Sequence, residues 1–226
     1  LKTTGNYIYG SNFDFRENSA DITVEAEVRN ETSDAKDITL EVNVVDGDGN
    51  LVSTFSKTEN VPAATDTAND QFVSMVPENA YNDAGEGQEN NDVDMSTVDV
   101  TKITATENIS DLNFWSDVSP YLYTVYTVLK DGDTVIDVQE KTTGFREVKY
   151  DNVNGLQING TTTYLKGYAQ RSTNEWAAIG VANDWLEDID MQLIKESNAN
   201  FIRWMHVAPK PNAIRSGDKY GVISVA

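Results

Sequence analysis

Two segments near the start of the chain, ITVEAEV (22–28) and ITLEVNVV (38–45), alternate apolar and polar residues. A period of two places every apolar side chain on one face of an extended strand, so both read as strands with one buried face. DGDGN (46–50) separates the second from LVSTF (51–55), and KDGD (130–133) separates YLYTVYTVL (121–129) from TVIDV (134–138). Asp-Gly is a favoured hairpin turn, so each pair is predicted to fold back on itself. With 7–15 and 101–106 added, the pattern gives about seven strands in the first 145 residues. That count and spacing point to an immunoglobulin-like sandwich.

Beyond residue 145 the periodicity changes. GLQINGTTTYLKG (155–167) reads as a small hairpin around Asn159-Gly160. NDWLEDIDMQLIKESNAN (183–200) predicts a helix from about Asp184 to Ser197, with Leu186, Ile189 and Leu193 as its inner face. Asp184 followed by Glu187 resembles a capping box, and acids at the start with Lys195 near the end suit the helix dipole. FIRWM (201–205) follows as a strand, then a shorter helix within 212–219 closed by Gly221, then VISV (222–225). Strand, helix, strand, helix, strand is the signature of βαβ units with a parallel sheet. The chain stops within that pattern.

Composition sharpens the division. Residues 1–145 carry 28 acids and 8 bases, whereas 146–226 carry 9 of each, so the whole net charge of −20 lies in the first part. Such a surface repels nucleic acid and anionic membranes and favours solubility. No apolar run approaches the roughly 18 residues of a membrane span. With no cysteine, thiolate chemistry and disulfides are excluded, and one histidine, His206, rules out a histidine-rich metal site within this chain. No cofactor is implied. The sequons at Asn30, Asn108 and Asn159 are short enough to arise by chance. In the acidic stretch 78–99, Asp92, Asp94 and Asp99 form a candidate calcium site, as do Asp46, Asp48 and Asn50. The second group lacks the glycine and distal glutamate of an EF-hand loop, and a solvated loop is the better reading of both. The first residue is Leu and no signal peptide is visible, which suggests a processed or excised piece. A bacterial periplasmic or extracellular location is favoured over a cytoplasmic one.

Five stretches occur in order: FWSDVSPYLYTVYTVL (114–129), TTGFREV (142–148), LQINGTTTYLKG (156–167), DIDMQLIKESNANFIRWMH (188–206) and DKYGVISV (218–225). Together they resemble glycoside hydrolase family 2, the β-galactosidase, β-glucuronidase and β-mannosidase group. The resemblance covers nearly the whole chain and rests on the order and spacing of the motifs, since Gly-Phe-Arg alone is common. It implies a mainly β chain with a C-terminal α/β part. Residues 1–146 would be an immunoglobulin-like sandwich, and 147–226 the first βαβαβ units of an incomplete (β/α)8 barrel.

The activity so implied is retaining hydrolysis of a β-glycoside by two glutamates, both on later barrel strands outside this chain. No catalytic role falls to Glu175 or Glu187, and the chain alone is expected to be inactive. Where the family usually shows Gly-Val-Asn-Arg-His after the first barrel strand, this chain has Gly167-Tyr168-Ala169-Gln170-Arg171. Ser-His-Tyr-Pro after the second strand becomes Met205-His206-Val207-Ala208-Pro209, keeping the histidine. The substrate-binding candidates are therefore His206, Arg203, Trp204 and Arg171, at or near the C-terminal ends of the first two barrel strands. Arg203 is expected to pair with a carboxylate in the barrel mouth, and Trp204 is either a sugar platform or core. The implied partners are a carbohydrate substrate and the remainder of the polypeptide, with a homo-oligomer possible in principle and neither nucleic acid nor membrane expected. The alternative from the residues alone is a non-enzymatic sandwich module that binds glycan or protein, which gives no role to the βαβ pattern. A serine hydrolase using His206 is weaker still, because no Gly-x-Ser-x-Gly elbow exists.

Overall fold

The structure, a computed structural model, describes residues 6–65, 99–171, 183–205 and 208–225. His206, Glu175, Asp92 and Asp94 lie outside the described residues, as does the acidic segment up to residue 98.

Seven strands build the first part: β1 (Tyr7–Asp14), β2 (Ser19–Val28), β3 (Lys36–Val45), β4 (Leu51–Val61), β5 (Thr101–Ile109), β6 (Tyr123–Asp131) and β7 (Thr134–Thr143). They form a three-stranded sheet in the order β1-β2-β5 and a four-stranded sheet in the order β4-β3-β6-β7, all pairs antiparallel. The alternation read in the sequence is the alternation of burial. Ile22, Val24 and Ala26 on β2 and Leu40, Val42 and Val44 on β3 are fully buried, and they meet between the sheets. Burying a side chain of this size stabilises by roughly 1.5–3 kcal/mol, so these two strands anchor the sandwich. Tyr123, at the start of β6, is buried too, and its hydroxyl accepts a hydrogen bond from the backbone N–H of Asn113 at 2.8 Å. This tyrosine ties the crossover segment onto the sheet, as in other sandwiches of this class.

Polar side chains at the turns are consumed locally. Asp46 Oδ1 accepts from the backbone N–H groups of Asp48 and Asn50, and the Asn50 amide also donates to this carboxylate. These bonds, the Asn50 amide first, hold Asp46 below the usual carboxylate range. Asp99 Oδ2 accepts from the N–H and hydroxyl of Thr65. Among the described residues no group of three or more His, Asp or Glu side chains is arranged to hold a metal ion. Of the sequon asparagines, Asn30 is buried, with its amide donating to the carbonyls of Asp34 and Val61.

The second part begins with β8 (Val148–Asp151), β9 (Gly155–Ile158) and β10 (Thr161–Thr162), an antiparallel sheet in the order β10-β9-β8. Asn159 and Gly160 close the β9–β10 hairpin with φ of 51° and 71°, the primed-turn geometry that suits strand twist. Strand β8 was not expected. Its four residues are all exposed, and the alternation of Val148 and Tyr150 with Lys149 and Asp151 is too short a run to mark a strand in the sequence.

Next come β11 (Gly167–Gln170), α1 (Asp184–Glu196), β12 (Phe201–Trp204), α2 (Pro211–Tyr220) and β13 (Ile223–Val225). The three strands pair in parallel in the order β11-β12-β13. Gly167 permits this pairing, because a Cβ there would lie 1.7 Å from the carbonyl oxygen of Phe201. Met191 and Ile194 of α1, Ala213 of α2, and Ile202 and Trp204 of β12 form a second hydrophobic core. Among the described residues no helix is long and apolar enough to cross a membrane.

The expected inner face of α1 needs correction. Glu187, Met191 and Ile194 are buried, while Ile189 and Leu193 are 43% and 55% exposed. The helix carries two apolar stripes, and polar partners on neighbouring elements select one. Glu187 pairs with Lys210 at 3.0 Å, Asp188 with Lys219 at 2.7 Å, and Lys195 donates to the carbonyl of Asp117 at 2.6 Å. The capping box is absent for the same reason. Asn183 is the N-cap without a side-chain cap bond, and the Glu187 carboxylate is taken by Lys210.

Candidate functional site

Parallel strands with helical crossovers bind ligands beyond their carboxyl ends, because the crossover loops leave an open crevice there. In this chain those ends are Gln170-Arg171 after β11, Trp204-Met205 after β12, and Val225 on β13. The Met205 N–H donates to the Gln170 carbonyl at 2.9 Å, holding the first two ends side by side. Gln170 in turn donates its side-chain amide to Asp190 of α1 at 2.9 Å.

The period of two sorts the candidates between the faces of the sheet. Ile202 and Trp204 point to the helices, whereas Phe201 and Arg203 point away from them. On that second face Arg203 is paired in register with Ala169 and Val225, and all three are exposed. Arg203 is thus a guanidinium on an otherwise small and apolar surface, with no ion-pair partner among the described residues. Arg171 is exposed one residue beyond β11. Arg203 and Arg171 therefore lie near the same end of the sheet, and His206 lies outside the described residues.

Trp204 behaves differently. It is 2% exposed within the second core, so its ring offers no open face to a sugar from this position. The sugar-platform expectation is corrected in favour of core, since a strand residue cannot serve both faces. Its indole Nε1 is buried without a hydrogen-bond partner among the described residues.

The motifs that carried the resemblance converge elsewhere, on the seam between the two cores. Trp115 is 1% exposed, and its indole N–H donates to the Asp218 carbonyl at 2.7 Å. Its backbone N–H donates to Phe145, and its carbonyl accepts from the Asn159 amide at 2.9 Å. The Arg146 guanidinium lies 4.3 Å from the centre of the same ring, with the Asp218 carboxylate at 3.8 Å from Arg146. Burial pushes the Asp218 carboxyl above the usual aspartate range, and Arg146 opposes the shift.

Asp117 forms the other half of the seam. Its carboxylate accepts from the Asn200 amide at 2.7 Å, and Gly221 packs on its backbone, where a Cβ would come within 2.4 Å of its carbonyl oxygen. Gly221 also has φ of 72°, the left-handed value that closes α2. Asn200, 8% exposed at the start of β12, additionally donates to Tyr164 and accepts from the Lys166 N–H. Reading the sequence missed Asn200 and Asp117. Asn200 is a polar residue directly before an apolar strand and Asp117 lies in a polar bend well before β6, and each by itself reads as loop.

With this geometry in hand, the comparisons with known proteins are specific. The family described as glycosyl hydrolases family 2 matches residues 7–146. The chain belongs to this family. A β-glucuronidase of Formosa agariphila is 34% identical over 226 residues, which is all of this chain and 19% of that protein. A β-galactosidase of Alteromonas mediterranea is 30% identical over 122 residues, 53% of this chain and 11% of that protein. Among solved structures, a β-glucuronidase from glycoside hydrolase family 2 superposes with a TM-score of 0.76 at 34% identity, over 100% of this chain and 20% of its own. A family member from Bacteroides cellulosilyticus gives 0.77 at 20% identity, over 99% and 26%, a likeness of fold. The chain thus spans about a fifth of the β-glucuronidase it matches along its entire length.

Proposed function

We propose that this chain is part of a retaining β-glycosidase. It would supply a sandwich domain (1–146) and the opening β/α units of a (β/α)8 barrel (147–226), with both catalytic glutamates elsewhere in the polypeptide. The observation that carries this reading is the parallel sheet β11-β12-β13, covered by helices on one face and open on the other. A barrel needs its inner face uncovered by helices so that side chains of facing strands can fill the interior. Further strands join at the sheet edges, and the active site forms at the carboxyl ends. The exposed stripe Trp185, Ile189 and Leu193 on α1 is a natural seat for a further helix of the same barrel.

In this reading Arg203 faces the barrel lumen, where its fixed positive charge pairs with a carboxylate, of the enzyme or of a uronate substrate. His206 and Arg171 hydrogen-bond sugar hydroxyls at the rim, and Trp204 supports the strand from behind. Because the relative matched over the whole chain is named a β-glucuronidase, β-glucuronides are the first substrates to test, followed by β-galactosides and β-mannosides. A sandwich acting alone as a binding module leaves the seam around Trp115 and Asp117 without purpose.

The test uses the full polypeptide that contains this chain and nitrophenyl β-glycosides of the three sugars. His206→Ala is expected to lower kcat/KM about tenfold or more, the scale of one lost binding contact to a reacting sugar, with the melting temperature nearly unchanged. Residues 1–226 alone should release no nitrophenol. Turnover by the isolated chain that disappears in Glu175→Gln would overturn the assignment of catalysis to the rest of the polypeptide.

A further inference from the structure

The amino ends of the parallel strands carry a second concavity, on the side opposite the one just described. A cleft of about 400 Å³ opens between residues 116–118, the β9–β10 hairpin and the starts of β11 and β12. This is within the size range of small-ligand sites. Tyr164 and Val118 stand at its sides, 80% and 85% exposed, so two apolar surfaces meet solvent. Between them lie hydroxyls of the hairpin threonines, of which Thr161 and Thr162 are exposed, together with Lys166 and Asp117. Lys166 has no ion-pair or side-chain hydrogen-bond partner among the described residues. Asp117 commits Oδ2 to Asn200, leaving Oδ1 without a partner among the described residues. The floor is fixed: Asn200 binds the Asp117 carboxylate, the Tyr164 carbonyl and the Lys166 backbone N–H at once. The carboxylate and the backbone that carries the Tyr164 and Lys166 side chains are thus held in place before any ligand arrives.

We propose that this cleft is a second carbohydrate site, one that binds a neutral oligosaccharide away from the reacting sugar. A pyranose ring presents apolar C–H faces and a rim of hydroxyls that both donate and accept. The cleft offers the complement, an aromatic face at Tyr164 with a cation donor and a carboxylate acceptor within one small volume. An anionic sugar fits less well, because the Asp117 carboxylate and the acidic sandwich behind it oppose a second negative charge. The seam explains why the site sits here. Two packed units joined through Trp115 and Asp117 leave a crevice where the hairpin folds over their junction.

The experiment measures hydrogen exchange in the full polypeptide with and without neutral gluco-, xylo-, manno- or galacto-tetraose. At least one should slow exchange in the peptide covering 159–166. Tyr164→Ala and Lys166→Ala should each weaken that protection about tenfold while leaving kcat/KM for nitrophenyl glycosides unchanged. Both side chains are exposed in this chain, and an unchanged melting temperature of each variant of the full polypeptide checks that folding is retained. Absence of protection with all four sugars, protection that survives both substitutions, or protection by glucuronate oligomers alone would overturn the proposal. Protection without any hydrolysis of nitrophenyl glycosides would uphold this site while removing the glycosidase reading.

Discussion

In the sandwich, each inner position of β2 and β3 meets the opposing sheet, and the apolar residues there are at most 5% exposed. In the parallel sheet only the helix-facing side is covered, and Ala169, Arg203 and Val225 on the other side are exposed. The sandwich strands are 8–11 residues long and the parallel ones 3–4, but strand length alone does not set whether the second face is covered. Antiparallel strands can be joined by short turns, so a second sheet is contributed by nearby sequence, whereas each parallel neighbour costs a crossover of about a dozen or more residues. The first region thus satisfies itself, and the second presents a surface. The acidic excess follows the same division, since the closed region carries all of the net charge and the open one is balanced.

This contrast can be broken most forcefully at Gly167. A methyl group there collides with the Phe201 carbonyl, so Gly167→Ala should separate β11 from β12 and abolish the cooperative unfolding of the second part. The fluorine resonance of Trp204 in chain labelled with 5-fluorotryptophan, assigned with Trp204→Phe, would report it during urea unfolding, and the amide resonances of β2 and β3 should be little changed. If the two signals move together, the regions are one cooperative unit. Next in size, Leu40→Ala should cost the sandwich about 2–5 kcal/mol by opening a cavity in a core with no slack. Its urea midpoint should fall without altering the Trp204 transition.

Hydrogen exchange compares the regions without mutation. Amides in 156–226 of the isolated chain should exchange about tenfold or more faster than those of β2, β3 and β6, roughly 1.4 kcal/mol of lost protection or greater. Uniformly slow exchange would mean that the open face is covered, for instance by a second copy. The smallest effect concerns Asp188, whose carboxyl lies below the usual range, chiefly through Lys219 and then Ser216. A lowered folded-state pKa adds stability above the ordinary aspartate pKa, and that stability is lost as pH falls through the lower value. Asp188→Asn should therefore destabilise the α1–α2 contact at neutral pH by less than about 1 kcal/mol, because the pair is solvent-screened. The difference from the unmodified chain should vanish in acid, as read from the unfolding midpoint against pH.

The pattern of residues alone located the seven sandwich strands, although β4 and β7 run five or six residues past their expected ends. It also located both described helices, β12 and β13. Strand β11 was not located, since Gly167–Gln170 were expected to follow the first barrel strand and instead form it. Alternation and helical period survive in any environment, because they follow from backbone geometry. The hairpin at Asn159-Gly160 was legible for the same reason, as few residues accept the φ values it needs. Strand β8 was not legible, its alternation being too short a run to mark it. The buried stripe of α1 was misread, since a helix with two apolar stripes carries no internal sign of which one its neighbour will cover. Among the site candidates, strand alternation sends the neighbours Arg203 and Trp204 to opposite faces, and the fold decided which of the two faces is the core. Asn200 and Asp117 acquired their roles from partners 83 positions apart. Backbone preference is local and is written in the chain; the choice of face and of distant partner depends on what packs against it, which only the tertiary structure decides.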